Sequence, residues 1–233
     1  MSLRKGFLIP LFLLAAVALI GGPGVTDASA ATIYTLNVDY CTFSCLNGGL
    51  GGTITLTQNG ANNVTVAVAL SGVTFHNTNG FESIAFNLTG NPTIAVGSIV
   101  ANGGATFALV STTAGSLHED GAGNFEYALD QTGGGEGTTL SFNVTAAGLT
   151  EASFNELSTS SGHPSYFEVS VRNGQNINCT GVIGADGGSS PVRITGTDKQ
   201  PCQGVTTPEP GSAILLGIGL TIVGGFGWRK RVK

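Results

Sequence analysis

The sequence predicts an all-β domain, an antiparallel jelly-roll-like β-sandwich with one short helix, on three observations. Short runs rich in β-branched and aromatic residues alternate apolar with polar positions. Clusters of Gly, Asn, Ser and Thr separate those runs. Sustained apolar recurrence at the 3.6-residue period of a helix is almost absent between the two ends of the chain. Many short strands, each apolar on one side, bury that side most simply when two antiparallel sheets pack face to face.

Residues 32–39 open the series. In residues 52–57 Ile54 and Leu56 share one side, and after residues 58–63 the run 64–70 puts Val64, Val66, Val68 and Leu70 on one side, so the two read as a hairpin. Residues 83–88, 94–100 and 106–110 continue the pattern. Residues 124–130 and 138–145 flank the glycine-rich stretch 131–137 and read as a second hairpin, because glycine enters positive φ without a Cβ clash. Residues 149–158 change period and predict one short helix with Thr150 as its N-cap. Residues 166–172 return to strand, Asn173-Gly174 marks a turn, and residues 179–183 and 191–195 add two weak edge strands. No internal repeat of fixed period is apparent.

Both ends of the chain are apolar for a different reason. Arg4 and Lys5 precede the apolar run 6–20, which gives way to Gly21-Gly22-Pro23-Gly24 and then Ala28-Ser29-Ala30. That order is the layout of a secretory signal peptide over residues 1–30, with cleavage after Ala30; retention of the run as an anchor is the alternative. At the other end, a polar tether of residues 197–207 leads to Pro208-Glu209-Pro210 and an apolar run over residues 211–228. The cations Arg229, Lys230, Arg231 and Lys233 follow. A hydrocarbon core of ~30 Å takes ~20 helical residues, with a lower limit near 17, so residues 211–228 just suffice for a transmembrane helix. The apolar residues of that run face every direction around a helix, Trp228 stands at the interfacial position, and the cations resist translocation. The alternative, a buried helix of a globular domain, lacks the polar face it would need.

The tail resembles the PEP-CTERM sorting signal of Gram-negative bacteria that make exopolysaccharide, on Pro208, Glu209 and Pro210, the apolar run and the basic cluster, in that order. The resemblance is confined to residues 208–233. It implies an exosortase as partner, a transient anchor in the inner membrane with the basic cluster left in the cytoplasm, and delivery to the cell surface or an extracellular exopolysaccharide matrix. The domain organisation expected is therefore a signal peptide (1–30), a β-sandwich (31–196), a tether (197–207) and a sorting signal (208–233).

With both ends set aside, residues 31–207 hold twelve carboxylates against Arg172, Arg193 and Lys199, a net charge of −9. Such a surface repels phosphate backbones, which disfavours nucleic acid as a partner. Cys41, Cys45, Cys179 and Cys202 all lie in the exported part, even in number and bound for an oxidising compartment. The preferred pairing is local, Cys41 with Cys45 and Cys179 with Cys202. Pairing of the first strand with the C-terminal loop is a second arrangement, and zinc on the Cys41-x3-Cys45 spacing a third.

Chemistry-bearing motifs are scarce. His76, His118 and His163 sit in no metalloprotease or catalytic-triad pattern, and the Gly-rich clusters lack the strand-to-helix context of a phosphate site. The expectation is a protein without catalytic activity and without a cofactor. One exception is a calcium site at Glu119, Asp120, Asn124 and Glu126, where hard oxygens gather near glycines without matching an EF-hand loop. The functional reading is a structural surface or matrix protein. A carbohydrate-binding module using Tyr34, Tyr40, Tyr127 or Tyr166 is the first alternative, and a secreted hydrolase with an unrecognised site the second.

Overall fold

Alternation of side chains across each strand builds two sheets that face one another over a shared apolar core in the computed structural model, which describes residues 31–41, 44–76, 82–119, 121–173 and 179–194. The expected signal peptide with Ala28 and Ala30, the tether, the sorting tripeptide, the transmembrane run and the basic cluster lie outside the described residues. Among the described residues no helix is long and apolar enough to cross a membrane.

The first sheet has the order β1 (Thr32–Thr35), β3 (Gly52–Gln58), β4 (Asn63–Leu70), β12 (Thr139–Thr145), β7 (Ala95–Ala101), all antiparallel. The second runs β15 (Val192–Arg193), β2 (Val38–Asp39), β14 (Thr180–Ala185), β13 (Phe167–Arg172), β6 (Ile84–Phe86), β11 (Tyr127–Gly133), β8 (Thr106–Leu109). A two-residue strand, β5 (Thr74–Phe75), also pairs with β13, and only β15 with β2 is parallel. The architecture is all-β and sandwich-like, as the alternation predicts.

Leu56, Val66, Phe142 and Val144 of the first sheet meet Phe86, Tyr127, Phe167 and Val169 of the second, all fully buried. Phe86 occupies the centre, its ring 5.7 Å from Tyr127, 6.1 Å from Phe142, 5.6 Å from Phe154 and 6.3 Å from Phe167. Phe154 arrives from the segment expected to be a helix over residues 149–158. The structure shortens that helix to one 3-10 turn, Glu151–Phe154. Thr150 does precede it in extended conformation, with its N–H donating to Ser153 Oγ at 3.1 Å. A stretch rich in Ser, Thr and Asn has little helix propensity to extend the turn, and Asn155 leaves the helical region at once.

The first expected hairpin is present: β3 and β4 pair from Gly52↔Leu70 to Gln58↔Val64. The second is not. β11 pairs with β6 and β8 in the second sheet, whereas β12 pairs with β4 and β7 in the first. Residues 134–138 therefore carry the chain from one sheet to the other instead of closing a hairpin. Glycine is needed here for approach as well as for φ: a Cβ on Gly134, at φ +87°, would stand 1.8 Å from the Gly104 carbonyl. Strand periodicity identifies which side of β11 and β12 is apolar, and that side is the same whether the strands pair or face one another across a core.

A second, smaller core lies on the far side of the second sheet. The hairpin of β9 (Leu117–Glu119) and β10 (Gly123–Phe125) lays Phe125 and Ala122 over Val38, Tyr40, Ala85, Ala128 and Val182. Both faces of the centre of that sheet are thus covered, which is why β6 is buried at every position and β13 at all but the last.

Candidate functional site

An open cleft of about 960 Å³ is formed where β1, the end of β3, the β3–β4 turn and the 3-10 turn meet. Two tyrosine rings border it, 5.3 Å apart and tilted by 52°: Tyr166, half-buried, and Tyr34, which belongs to the main core and is only 8% exposed. Tyr34 is wedged edge-on against Phe167, and burial together with the neighbouring Tyr166 raises its pKa. The polar groups of the cleft are mostly amides and hydroxyls, among them Gln58, Asn62, Thr150 and Asn155. Glu151 is tied into the scaffold: its carboxylate accepts from Thr32 Oγ1 at 3.1 Å and from the Gln58 N–H at 2.6 Å. The part-exposed Tyr166 ring beside uncharged donors and acceptors suits a neutral, hydroxyl-rich ligand.

Tyr40 and Tyr127 do not border the cleft. Tyr40 is buried, and its hydroxyl lies 2.5 Å from the His163 carbonyl, to which it donates, and 2.8 Å from Ser165 Oγ. Tyr127 donates to the Pro92 carbonyl at 2.5 Å from the centre of the main core. Burial is the largest cause that pushes both phenols up to about 12. Of the four tyrosines singled out in the sequence, the structure brings only Tyr34 and Tyr166 together in the cleft.

The acidic residues around the β9–β10 turn diverge. Asp120 lies outside the described residues. Asn124 Oδ1 is 3.0 Å from His118 Nδ1, and Glu126 turns toward the Leu88 N–H, with burial raising its pKa. Glu119 points inward, fully buried, where Oε1 accepts the Glu82 N–H at 3.3 Å. Its carboxyl contacts those of Glu82 and Glu168, and Glu168 on β13 is fully buried as well. Among the described residues, Glu119 Oε2 and both Glu168 oxygens receive no N–H or hydroxyl donor. Desolvation is the leading cause that raises Glu119 to about 9, and desolvation plus the Glu119 charge raise Glu168 far above the carboxylate range. Buried carboxyls without donors are held by sharing protons. Periodicity gave no sign of this pair, because Glu168 lies on the side of β13 that the sequence marks as solvent-facing.

Cys41 and Cys45 form a disulfide, with Cα atoms 5.8 Å apart, so their sulfurs are not thiolates available to zinc. Asp39, buried one position before Tyr40, organises the loop they close. Its Oδ1 accepts the N–H groups of Cys41 at 3.1 Å and Cys45 at 3.3 Å, and its Oδ2 accepts Ser44 Oγ at 2.6 Å and the Leu46 N–H at 3.1 Å. Gly181 on β14 lets the loop lie this close: a Cβ there would stand 2.9 Å from Cys41 Sγ. Cys179 is also disulfide-bonded, and Cys202 lies outside the described residues. No spacing rule would have singled out Asp39, whose role depends on which backbone N–H groups the loop turns toward it.

The observation that decides destination comes from the tail. A family model described as the PEP-CTERM protein-sorting motif matches residues 206–231. The chain carries a PEP-CTERM sorting motif. The match takes in Pro208, Glu209 and Pro210, the apolar run and the cations Arg229, Lys230 and Arg231. A PEP-CTERM signal directs export and membrane-associated sorting to the cell surface by way of an exosortase, so the β domain in front of it works outside the cytoplasm. No curated protein and no solved structure matches the chain.

Proposed function

We propose that this PEP-CTERM protein is a non-catalytic structural component of an extracellular exopolysaccharide matrix, anchored briefly in the inner membrane by residues 211–228 and released when an exosortase processes its tail. The observation that carries the reading is the sorting motif at residues 206–231 behind an acidic β domain with few histidines and arginines. Fractionation of producing cells tests it. The intact chain is expected with the surface and the polysaccharide fraction, shortened at its C-terminus, and a chain truncated before Pro208 is expected in neither. An identical distribution of the two would sink the proposal.

The cleft at Tyr34 and Tyr166 favours a second reading, a carbohydrate-binding module for neutral glycans. Binding on a glycan array that Tyr166→Ala abolishes supports it. Binding that survives the substitution places the ligand elsewhere.

A further inference from the structure

Glu168 occupies a place on β13 that the surrounding sheet does not equip for a carboxylate. Its neighbours in register are Ala85 on β6 and Gly184 on β14, followed by Ala128 on β11 and Val38 on β2. Ala85, Ala128 and Val38 belong to the smaller core, and no residue of this row has a side-chain donor. The β9–β10 hairpin brings Glu119 down onto the same layer, and the chain entering β6 brings Glu82. Glu119 and Glu168 are both 0% exposed. Glu82 is half-buried beside them.

Protons alone leave this layer incompletely satisfied. A proton shared between Glu119 and Glu168 engages one oxygen of each, yet among the described residues both Glu168 oxygens and Glu119 Oε2 lack a donor. Glu119 Oε1 already takes the Glu82 N–H. The charges acting on Glu119 and Glu168 are those of each other and of Glu82, all of one sign when ionised. Bare, inward-aimed carboxylate oxygens sealed from solvent call for a positive charge among them.

We propose that Glu119 and Glu168, completed by Glu82, hold a calcium ion between the β9–β10 hairpin and the second sheet. The donor set selects the ion. Every free ligand atom is a hard carboxylate oxygen, while His118, next along β9, is exposed against Asn124, and Cys41 and Cys45 are joined in a disulfide. Magnesium keeps several waters in a strict octahedron and suits a dry layer poorly, whereas calcium accepts irregular sets of about six to eight oxygens. Half-buried Glu82 marks the path by which the ion enters. Of the residues the sequence singles out for calcium, Glu119 faces this layer, and Asn124 and Glu126 are engaged elsewhere. Without the ion the carboxyls share protons, so the stability lost to that sharing as pH rises is a property of the ion-free protein. The inference is independent of the matrix and glycan readings and draws only on export, which takes the domain to where calcium is plentiful.

Thermal melts of the protein as the cells export it, stripped with a chelator and then titrated with calcium chloride at constant ionic strength, test the inference. The melting temperature is expected to rise by roughly 3–6 °C for each tenfold of free calcium above the dissociation constant. Glu168→Gln keeps the side chain's shape, removes its charge and is expected to abolish the rise. Glu119→Gln is expected to do the same and keeps the test valid if Glu168→Gln disturbs folding. Glu126→Gln, engaged at the Leu88 N–H, is expected to leave the rise intact. A protein that calcium does not stabilise, a rise that survives both substitutions in the buried pair, or an equal rise with magnesium or sodium chloride overturns the proposal. A rise that Glu126→Gln abolishes does so too, by placing the ion at the turn.

Discussion

The carboxyl of Glu119 on β9 meets the carboxyl of Glu168 on β13 beneath the β9–β10 hairpin, both fully buried and both raised in pKa. A carboxyl with a raised native pKa keeps its proton after the unfolded chain has released its own. Its contribution to stability is whole below the unfolded value near 4.5 and is lost as pH climbs toward about 9. The melting temperature is therefore expected to fall between pH 5 and pH 9, and Glu168→Gln to flatten that fall and raise the melting temperature at pH 8. A wild-type profile that rises with pH over this range contradicts the assignment.

Asp39 is expected to be the most sensitive carboxylate for stability at pH 7. Asp39→Ala leaves four donors of the 41–46 loop without their acceptor and is expected to cost about 2–4 kcal/mol, with Asp39→Asn costing less because one oxygen remains. Urea denaturation of the disulfide-intact protein measures both. A loss under about 1 kcal/mol for Asp39→Ala would show that these donors find other acceptors.

Phe86 links both sheets and the 3-10 turn through one ring. Phe86→Ala is expected to destabilise by about 3–5 kcal/mol, and Phe86→Leu by much less, since it refills most of the volume. A loss under about 1 kcal/mol for the alanine variant would mean that the neighbouring rings close the space.

The tyrosines should divide by role. Tyr40→Phe removes a buried hydroxyl from the His163 carbonyl and Ser165 Oγ and is expected to cost about 1–2 kcal/mol. Tyr166→Ala, in the open cleft, is expected to cost less stability than Tyr127→Ala in the core. Thermal melts of the three variants rank them, and Tyr166→Ala as the most damaging would make Tyr166 a core residue.

Strand positions were legible because alternation is a local property: Ile54 and Leu56, or Val64, Val66 and Val68, announce their apolar side without reference to any partner. The local disulfide of Cys41 and Cys45 was legible from spacing and compartment. The short strands β5 and β9 were not, since two or three residues carry no period. Glu119 stood in the sequence as a hard oxygen donor near glycines, and its burial was not legible there, because the hairpin that carries it covers an outward sheet face that alternation cannot distinguish from a bare one.

By itself, the order of residues determined that the chain is built of strands, that its tail carries a sorting address, and which side of each strand is greasy, all of which depend on neighbours a few positions apart. Tertiary structure alone decided that β11 and β12 belong to different sheets and that Glu119 and Glu168 share one dry layer. Those outcomes turn on strand partners far apart in the chain, and a two-residue period is satisfied equally well by several choices of partner.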